Sequence, residues 1–191
     1  MKSLCKKVVV VCMLATVFCS CDGVDELVNM FNCKFEVQSV EDFTFAGVPF
    51  DGIDSVEAIS DADKIIIDDA IAANNAPVHF VLNILGANPN DVTASVEKLQ
   101  WELDVDGIKV AEGLVTKKFT IPALGTNVLS LDVNAEVMEL YKDSVVENVY
   151  SLYQDVANGR ASEATLKIKP TVNEKEYPNY IIMKFPVKNE E

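Results

Sequence analysis

The sequence KLQWELDVDGIKVAE occupies residues 98–112 and alternates apolar with polar side chains on both sides of Asp106-Gly107. Such alternation is typical of a β-strand with one buried face, and a two-residue Asp-Gly loop favours a type I′ hairpin. Closing the chain at this loop fixes the register, because side chains alternate between the two faces of a strand. The predicted cross-strand pairs are Val105–Ile108, Leu103–Val110 and Trp101–Glu112 on one face, and Asp104–Lys109 on the other.

Apolar residues recur at every second position over most of the chain. Residues 78–85 are apolar on most of both faces, which predicts a central, buried strand. Besides the hairpin strands, candidate strands cover 35–37, 43–45, 78–85, 115–121, 129–133, 164–168 and 181–187. About nine short strands separated by turn signals predict a mainly β fold, an antiparallel β-sandwich.

Two segments instead show helical spacing. Ser60-Asp61-Ala62-Asp63 is a capping sequence, and it precedes a one-sided apolar face formed by Ile66, Ile67, Ala70 and Ile71. Apolar residues recur at steps of three and four from Met138 to Val156, with a capping-box match at Ser144-x-x-Glu147 and a stop at Asn158-Gly159. We therefore expect one or two packed α-helices.

The N-terminal residues have the layout of a secretory signal peptide. A basic start is followed by an apolar run over 8–18 and by Phe18-Cys19-Ser20-Cys21. The run is too short to span a bilayer, which needs about 20 residues. The small residues before Cys21 resemble the lipobox of bacterial lipoproteins, in which this cysteine is acylated. The predicted organisation is a lipoprotein signal peptide (1–20), a lipidated tether (21–33) and a single β-sandwich domain (34–191).

The amino-acid composition limits the kinds of molecule that the protein is expected to bind. The chain has 16 Lys and Arg against 30 Asp and Glu, a formal net charge of −14. Such a surface repels nucleic acid and anionic lipid headgroups. Removal of residues 1–20 and lipidation of Cys21 would leave Cys33 as the single thiol, which rules out an internal disulfide and favours a buried apolar role. An intermolecular disulfide through Cys33 is the alternative.

No segment carries a catalytic or metal-binding signature. The start of a calcium loop is resembled by Asp104-Val105-Asp106-Gly107. The strand pattern around these residues is incompatible with the twelve-residue loop that a calcium site of this kind needs. His79 has no neighbouring Cys or His, so it is interpreted as a surface or hydrogen-bonded strand residue. The acidic stretch from Asp51 to Asp63 is interpreted as solvated surface. We expect no catalytic residues, no metal site and no cofactor.

The middle of the chain resembles a known domain. Residues 80–90, FVLNILGANPN, and 99–113, LQWELDVDGIKVAEG, are similar to the water-stress and hypersensitive-response domain of type 2 late-embryogenesis-abundant proteins. The resemblance covers roughly 35–187 and is most convincing over 80–133; the helix after Ser60 looks like an insertion. It implies an immunoglobulin- or fibronectin-like sandwich with a helix across one end. It also implies that Asn88, Pro89 and Asn90 form a structural turn.

These observations lead to a functional expectation. The protein is predicted to be non-enzymatic, anchored to a membrane of the cell envelope through lipid on Cys21, and protective of proteins or membranes under stress. The alternative is an accessory or subunit of an envelope assembly, binding a protein or glycan partner through its sheet edges. A hydrolase built from scattered acidic residues is a third hypothesis.

Overall fold

A computed structural model describes residues 29–158, 164–172, 175–176 and 179–184 of the chain. The helices whose bounds lie within these residues are α1 (Asp61–Ala72) and α2 (Val145–Ala157), with a short 3-10 helix at Val56–Ala58; residues 29–32 are also helical. The strands are β1 (Lys34–Phe45), β2 (Val48–Pro49), β3 (Pro77–Ala87), β4 (Ala94–Val96), β5 (Lys98–Val105), β6 (Ile108–Val115), β7 (Phe119–Ile121), β8 (Thr126–Glu136), β9 (Ala164–Val172), β10 (Lys175–Glu176) and β11 (Ile181–Lys184).

The strands form two main antiparallel sheets. The first sheet has the order β2-β1-β3-β8, and the second has the order β10-β9-β5-β6, with β11 also paired to β9. A small third sheet pairs β4 with β7. Buried side chains of both main sheets belong to one hydrophobic core. The predicted mainly β antiparallel sandwich with packed helices is confirmed.

Strand β3 is central, as predicted, because it pairs with β1 on one side and with β8 on the other. Val78, Phe80, Leu82 and Ile84 point into the core and are fully buried. The alternate side chains are only partly buried. The prediction of burial on both faces is therefore wrong for the outer face, where the apolar residues Val81 and Leu85 alternate with polar ones.

The Asp106-Gly107 hairpin forms, with two of its four predicted pairs. Val105 pairs with Ile108 and Asp104 with Lys109, but a β-bulge follows, so that Leu103 pairs with Ala111 and Trp101 with Gly113. The predicted pairs Leu103–Val110 and Trp101–Glu112 are wrong by one residue. Packing explains the shift, because a Cβ on residue 113 would lie 2.5 Å from the Trp101 ring. The indole thus requires a glycine opposite it.

Two other strand predictions need correction. The candidate strand 115–121 is divided, since β6 ends at Val115 and β7 begins at Phe119 in a different sheet. The two early candidates, 35–37 and 43–45, are parts of the single strand β1, which has register breaks against β3. Asp42, at φ 55°, lies at one of these breaks. Irregular residues therefore bend β1 without ending it.

Helix α1 begins as predicted. The Ser60 side chain accepts a hydrogen bond from the Asp63 backbone N–H at 3.2 Å. Ile67 is buried, and Ala70 and Ile71 pack partly against the core. Ile66 is 50% exposed, so its predicted place on the apolar face is wrong. Successive helix residues are rotated by about 100°, and only Ile67 of the two is directed inward.

Helix α2 begins at Val145, later than the apolar spacing from Met138 suggested. Ser144 has left-handed backbone angles (φ 53°, ψ 47°) and makes no side-chain capping bond. The capping-box interpretation is therefore wrong, because a capping serine adopts extended angles that direct its hydroxyl to the first turn. The helix ends at Ala157 with Asn158 as its cap, as predicted, while Gly159 lies outside the described residues.

Aromatic packing fixes α2 across one end of the sandwich. The Tyr153 ring centroid lies 5.1 Å from that of Phe43 and 6.1 Å from that of Phe50. The Tyr150 hydroxyl donates to the Asp54 carbonyl oxygen. The rings of both tyrosines therefore pack against other aromatic rings, and their hydroxyl groups contact backbone atoms of the 50–54 loop.

The packed region includes residues that precede β1. Met30 is 2% exposed and Cys33 is 8% exposed, so both lie in the core although the tether was assigned to 21–33. The Cys33 thiol lies 3.3 Å from the Asn29 carbonyl oxygen. Within the described residues, no helix is both long enough and apolar enough to cross a membrane.

Candidate functional site

Asn88, which follows β3, is a buried amide that holds two distant segments together. It is 3% exposed, and its Nδ2 lies 2.8, 3.2 and 3.1 Å from the carbonyl oxygens of Val92, Ile121 and Pro122. Its Oδ1 accepts from the backbone N–H and the Nδ2 of Asn90 at 3.0 and 2.8 Å. A buried amide with partners on both atoms stabilises a turn and leaves no group for chemistry.

Asn90 extends this network. Its Nδ2 also donates to the Asn29 carbonyl oxygen at 3.1 Å, and its own carbonyl oxygen accepts from the Leu124 N–H at 2.9 Å. The structure therefore places Asn88, Pro89 and Asn90 at a junction between the start of the domain, the end of β3 and the turn after β7. Their arrangement is that of a structural turn.

An ion-paired cluster occupies the outer face of the second sheet. Lys167 Nζ lies 2.7 Å from Glu102 Oε1 and also contacts the Asp104 carboxylate. Hydrogen bonds from Lys167 to Asp104 and Glu102 raise the pKa of the lysine above its ordinary value. Lys167 thus reduces the repulsion between the two carboxylates of β5, and its raised pKa separates it from a reactive lysine, whose pKa would be lowered.

A shallow groove of about 330 Å³ lies beside this cluster. Its lining combines two aromatic side chains with polar, acidic and apolar residues of β5, β6 and the residue before β11: Gln100, Trp101, Glu102, Glu112, Gly113, Leu114 and Tyr180. Tyr180 is 46% exposed, and the Lys169 ammonium lies 5.9 Å from its ring centroid. Glu112 is engaged by Lys109 at 3.1 Å, so neither carboxylate of the groove is without a cationic neighbour.

A second groove runs between the two main sheets, where β6 and β8 form neighbouring edges. We call it the edge groove. One part, of about 310 Å³, is lined by residues 112–115 of β6 and by Ser130, Leu131, Asp132 and Asn134 of β8. The next part, of about 460 Å³, is lined by Val115, residues 117–120 and residues 127–130. Both sheets thus leave an open side on the same flank of the sandwich.

Polar side chains connect the strands on the outer face of the first sheet. Ser130 Oγ donates to Asn83 Oδ1 at 2.6 Å, and Asn83 Nδ2 donates to Ser39 Oγ at 3.1 Å. His79 Nε2 lies 2.9 Å from Asp132 Oδ1. His79 is therefore a hydrogen-bonded strand residue, in agreement with its interpretation from the sequence.

A pair of acidic groups lies near the hairpin end of the sandwich. Burial, and then the charge of Asp106, raise the pKa of Asp155 above its ordinary value. Burial is also the main cause that raises the pKa of Tyr141, followed by the charges of Asp155 and Asp106. A raised carboxyl pKa occurs at general acids, but here its causes are partial burial and repulsion between acidic groups, which also arise at purely structural positions.

The remaining predicted site residues are dispersed or lie outside the described residues. Cys21 is outside them. Cys33 is a free, buried thiol whose pKa is raised by burial, which is the opposite of an activated nucleophile. The acidic stretch 51–63 spreads over a loop, a 3-10 helix and the first turn of α1. Across the described ranges, His, Cys, Asp and Glu side chains form no group that could hold a metal ion.

Sequence analysis did not identify the edge groove. Its position depends on which strands lie at the sheet edges, and this follows from strand order rather than from local pattern. One signal was available. Residues 126–136 contain no Pro, Gly, Lys or Arg, which are residues that commonly protect an exposed edge.

The chain is similar in fold to several solved structures and matches one family model over part of its length. No curated protein matches it. Three of the similar solved structures are a protein from Archaeoglobus fulgidus (16% identity, 56% of this chain and 82% of that chain, TM-score 0.36), a putative late embryogenesis abundant protein (14%, 86% and 78%, 0.36) and an Arabidopsis thaliana protein (16%, 56% and 67%, 0.35).

A family model also matches part of the chain. The match spans residues 84–176, which include the Asn88–Asn90 turn, the Asp106-Gly107 hairpin, β8 and α2. The family is described as Late embryogenesis abundant protein. This is the family that the sequence of residues 80–133 resembled. The chain therefore matches the model of the Late embryogenesis abundant family over residues 84–176.

Proposed function

We propose that this chain is a non-enzymatic, lipid-anchored protein of the cell envelope whose sandwich domain protects proteins or membranes under stress. The family match over residues 84–176 carries the proposal, because it supports the stress-related part directly. The leader sequence ending at Cys21 supports the anchor, and a net charge of −14 suits a domain that must stay dispersed in a crowded compartment.

Protection would act through the surface of the folded domain. A strongly hydrated acidic surface keeps its neighbours apart through charge repulsion and bound water when solvent becomes scarce. The well-packed sandwich supplies a surface that persists under such conditions, since the core is continuous across both main sheets. An anchor on Cys21 would concentrate this surface at a membrane.

Membrane retention tests the anchor. We expect Cys21→Ser to move the protein from the membrane fraction to the soluble fraction when the full chain is expressed in a bacterium with lipoprotein-processing enzymes. Cys33→Ser is the matched control, because it makes the same chemical change at a cysteine that lies inside the domain. Retention of the Cys21→Ser protein in membranes would contradict the anchor.

A drying assay tests protection. We expect the purified protein to preserve the activity of a drying-sensitive enzyme better than an equal mass of an unrelated acidic protein of similar charge. Heat-unfolded protein is a second control, since its composition is identical and its fold is lost. Equal preservation by all three samples would contradict a role for the folded surface.

A further inference from the structure

The backbone of β8 has an unusually regular free edge. It pairs with β3 over all 11 of its residues without a register break, and within the described ranges no backbone–backbone hydrogen bond joins it to another strand. At its start, the Asn127 side chain donates to the Thr120 carbonyl oxygen of β7 at 2.7 Å. Edge strands are normally protected by bulges, prolines or lysines. Strand β6, the edge of the other sheet, has such protection in its bulge and in Lys109, whereas β8 has no bulge, proline or lysine, and its charged residues are Asp132 and Glu136.

The hydrogen-bond register shows which groups of β8 are directed outward. Antiparallel pairs alternate between those that exchange backbone hydrogen bonds and those that do not. Asn88 N–H donates to the Gly125 carbonyl oxygen at 2.9 Å, and this pair continues the β3–β8 register by one step. Every second residue from Gly125 therefore exchanges backbone hydrogen bonds with β3, and these residues include Asn127, Leu129 and Leu131. The residues between them direct their backbone N–H and C=O groups to the free edge.

A second contact supports this assignment. The Val128 N–H, one of the outward groups, donates to the Asn127 side-chain oxygen at 2.9 Å. The Asn127 side chain thus provides a hydrogen-bond acceptor for this outward N–H group. Further along the edge, Ser130, Asp132 and Asn134 direct their backbone groups into the edge groove, which they line together with residues 112–115.

We propose that the free edge of β8 at Ser130–Asn134 binds an extended, basic segment of a partner protein as an added β-strand. Strand addition gives affinity through backbone hydrogen bonds, and the alternate side chains give specificity. Inward side chains of the added strand would be apolar and would fill the groove beside Leu131 and Val115.

Charge complementarity selects the basic partner. Glu112 and Asp132, whose side chains are 66% and 74% exposed, line the same part of the groove as Ser130–Asn134. Lys109 and His79 contact these carboxylates at 3.1 and 2.9 Å, and the exposed carboxylates remain accessible to a further cation. Lysines 117 and 118 lie in the other part, beyond Val115. A second copy of this chain is a poorer occupant, because each copy has a net charge of −14 and the two would repel. The inference depends on neither the lipid anchor nor stress protection.

The test uses the purified, isotope-labelled full chain and two capped peptides of about nine residues, the length of a strand across this groove. One peptide alternates Val with Lys, and the other alternates Val with Glu. We expect the Val/Lys peptide to slow amide exchange at Ser130, Asp132 and Asn134 and to bind at least about tenfold more tightly than the Val/Glu peptide, since its charges complement the groove. Protection at β6 alone, or at no edge, would overturn the proposal.

Variants at one position separate backbone pairing from surface charge. Ser130→Pro removes the outward N–H together with the hydroxyl group, whereas Ser130→Ala removes the hydroxyl group and keeps the N–H. We expect the proline variant to bind the Val/Lys peptide about tenfold more weakly than the alanine variant, the effect of one lost hydrogen bond. Asn134→Pro and Asn134→Ala repeat the comparison if Ser130→Pro does not fold.

The remaining outcomes are equally informative. Equal affinity of the proline and alanine variants would show that attraction between charges, rather than strand addition, holds the peptide. Concentration-dependent protection of the same amides without peptide would identify a second copy as the occupant. Either result overturns the proposal of a basic partner strand.

Discussion

Two turns of this sandwich are stabilised in opposite ways. The Asn88–Asn90 turn is held by a buried side-chain amide that contacts carbonyl groups more than 30 residues away. The Asp106-Gly107 turn is exposed and depends on local backbone angles, with positive φ at both residues. Loss of the side-chain amide from a turn built on tertiary contacts should lower the free energy of unfolding strongly. Substitution in a turn held by local backbone angles should lower it only slightly.

The largest effect is expected at the buried turn. We expect Asn88→Leu to lower the free energy of unfolding by about 4 kcal/mol, because several buried carbonyl groups and the Asn90 donors lose their partner. Urea unfolding followed by circular dichroism measures this change. Asn90→Ala is the control and should cost about 1 kcal/mol, since the Asn88 amide keeps its contacts to the β7 turn. Similar losses for both variants would contradict the central role of Asn88.

A smaller loss is expected where the hairpin meets the core. Gly113→Ala would place a Cβ 2.5 Å from the Trp101 ring, so we expect a loss of about 2–3 kcal/mol from forced repacking. A double-mutant cycle with Trp101→Leu tests the cause, because a smaller side chain at position 101 should remove most of the penalty of the added methyl group. An unchanged penalty in the double variant would show that the bulge, rather than the indole, requires glycine.

At the exposed turn itself the loss is expected to be about 1 kcal/mol for Gly107→Ala. Gly107 has φ 79°, and no atom lies within 4 Å of the added Cβ, so the cost arises from the backbone alone. Gly107→Asn should cost less, since asparagine tolerates left-handed angles. The midpoint of urea unfolding for both variants measures the difference. Equal midpoints would indicate that strain at this turn is relieved by movement of the loop.

The smallest effect is electrostatic and depends on pH. The pKa of Asp155 is raised in the folded state, so its ionisation destabilises the fold as pH rises through the folded-state pKa. We expect Asp155→Asn to raise the free energy of unfolding by about 0.5 kcal/mol at pH 7, a value kept small by solvent screening. The gain should disappear below the unfolded-state pKa of about 3.9. Thermal unfolding of both proteins between pH 3 and 8 measures this difference in stability. A difference that does not change with pH would contradict the raised pKa of Asp155 as its cause.

Elements with strong local signals were predicted correctly. The central position of β3 follows from its long apolar run, α1 from the capping sequence at Ser60, and the Asp106-Gly107 turn from a dipeptide that favours positive φ. Each depends on interactions within a few residues, and these are fully contained in the sequence. The resemblance over 80–133 added the sandwich architecture and the structural turn at Asn88.

The errors have a common origin in long-range packing. The hairpin register shifted because the Trp101 ring needs Gly113 opposite it, and no local rule includes that contact. The capping box at Ser144 failed because the turn before α2 imposes left-handed backbone angles on that residue. Ile66 was placed on the wrong side of α1 because a short apolar run does not show which of its faces meets the core.

The features of the candidate sites also fall into two groups, those that the sequence predicts and those that depend on the folded structure. The sequence alone determined most of the strand and helix positions, the acidic charge, the leader pattern at Cys21 and the absence of a recognisable catalytic motif, because these properties are local or compositional. Only the tertiary structure decided that Asn88 is a buried junction and that β6 and β8 leave neighbouring free edges. Both depend on strand order and on contacts between distant residues, which form only when the chain is folded.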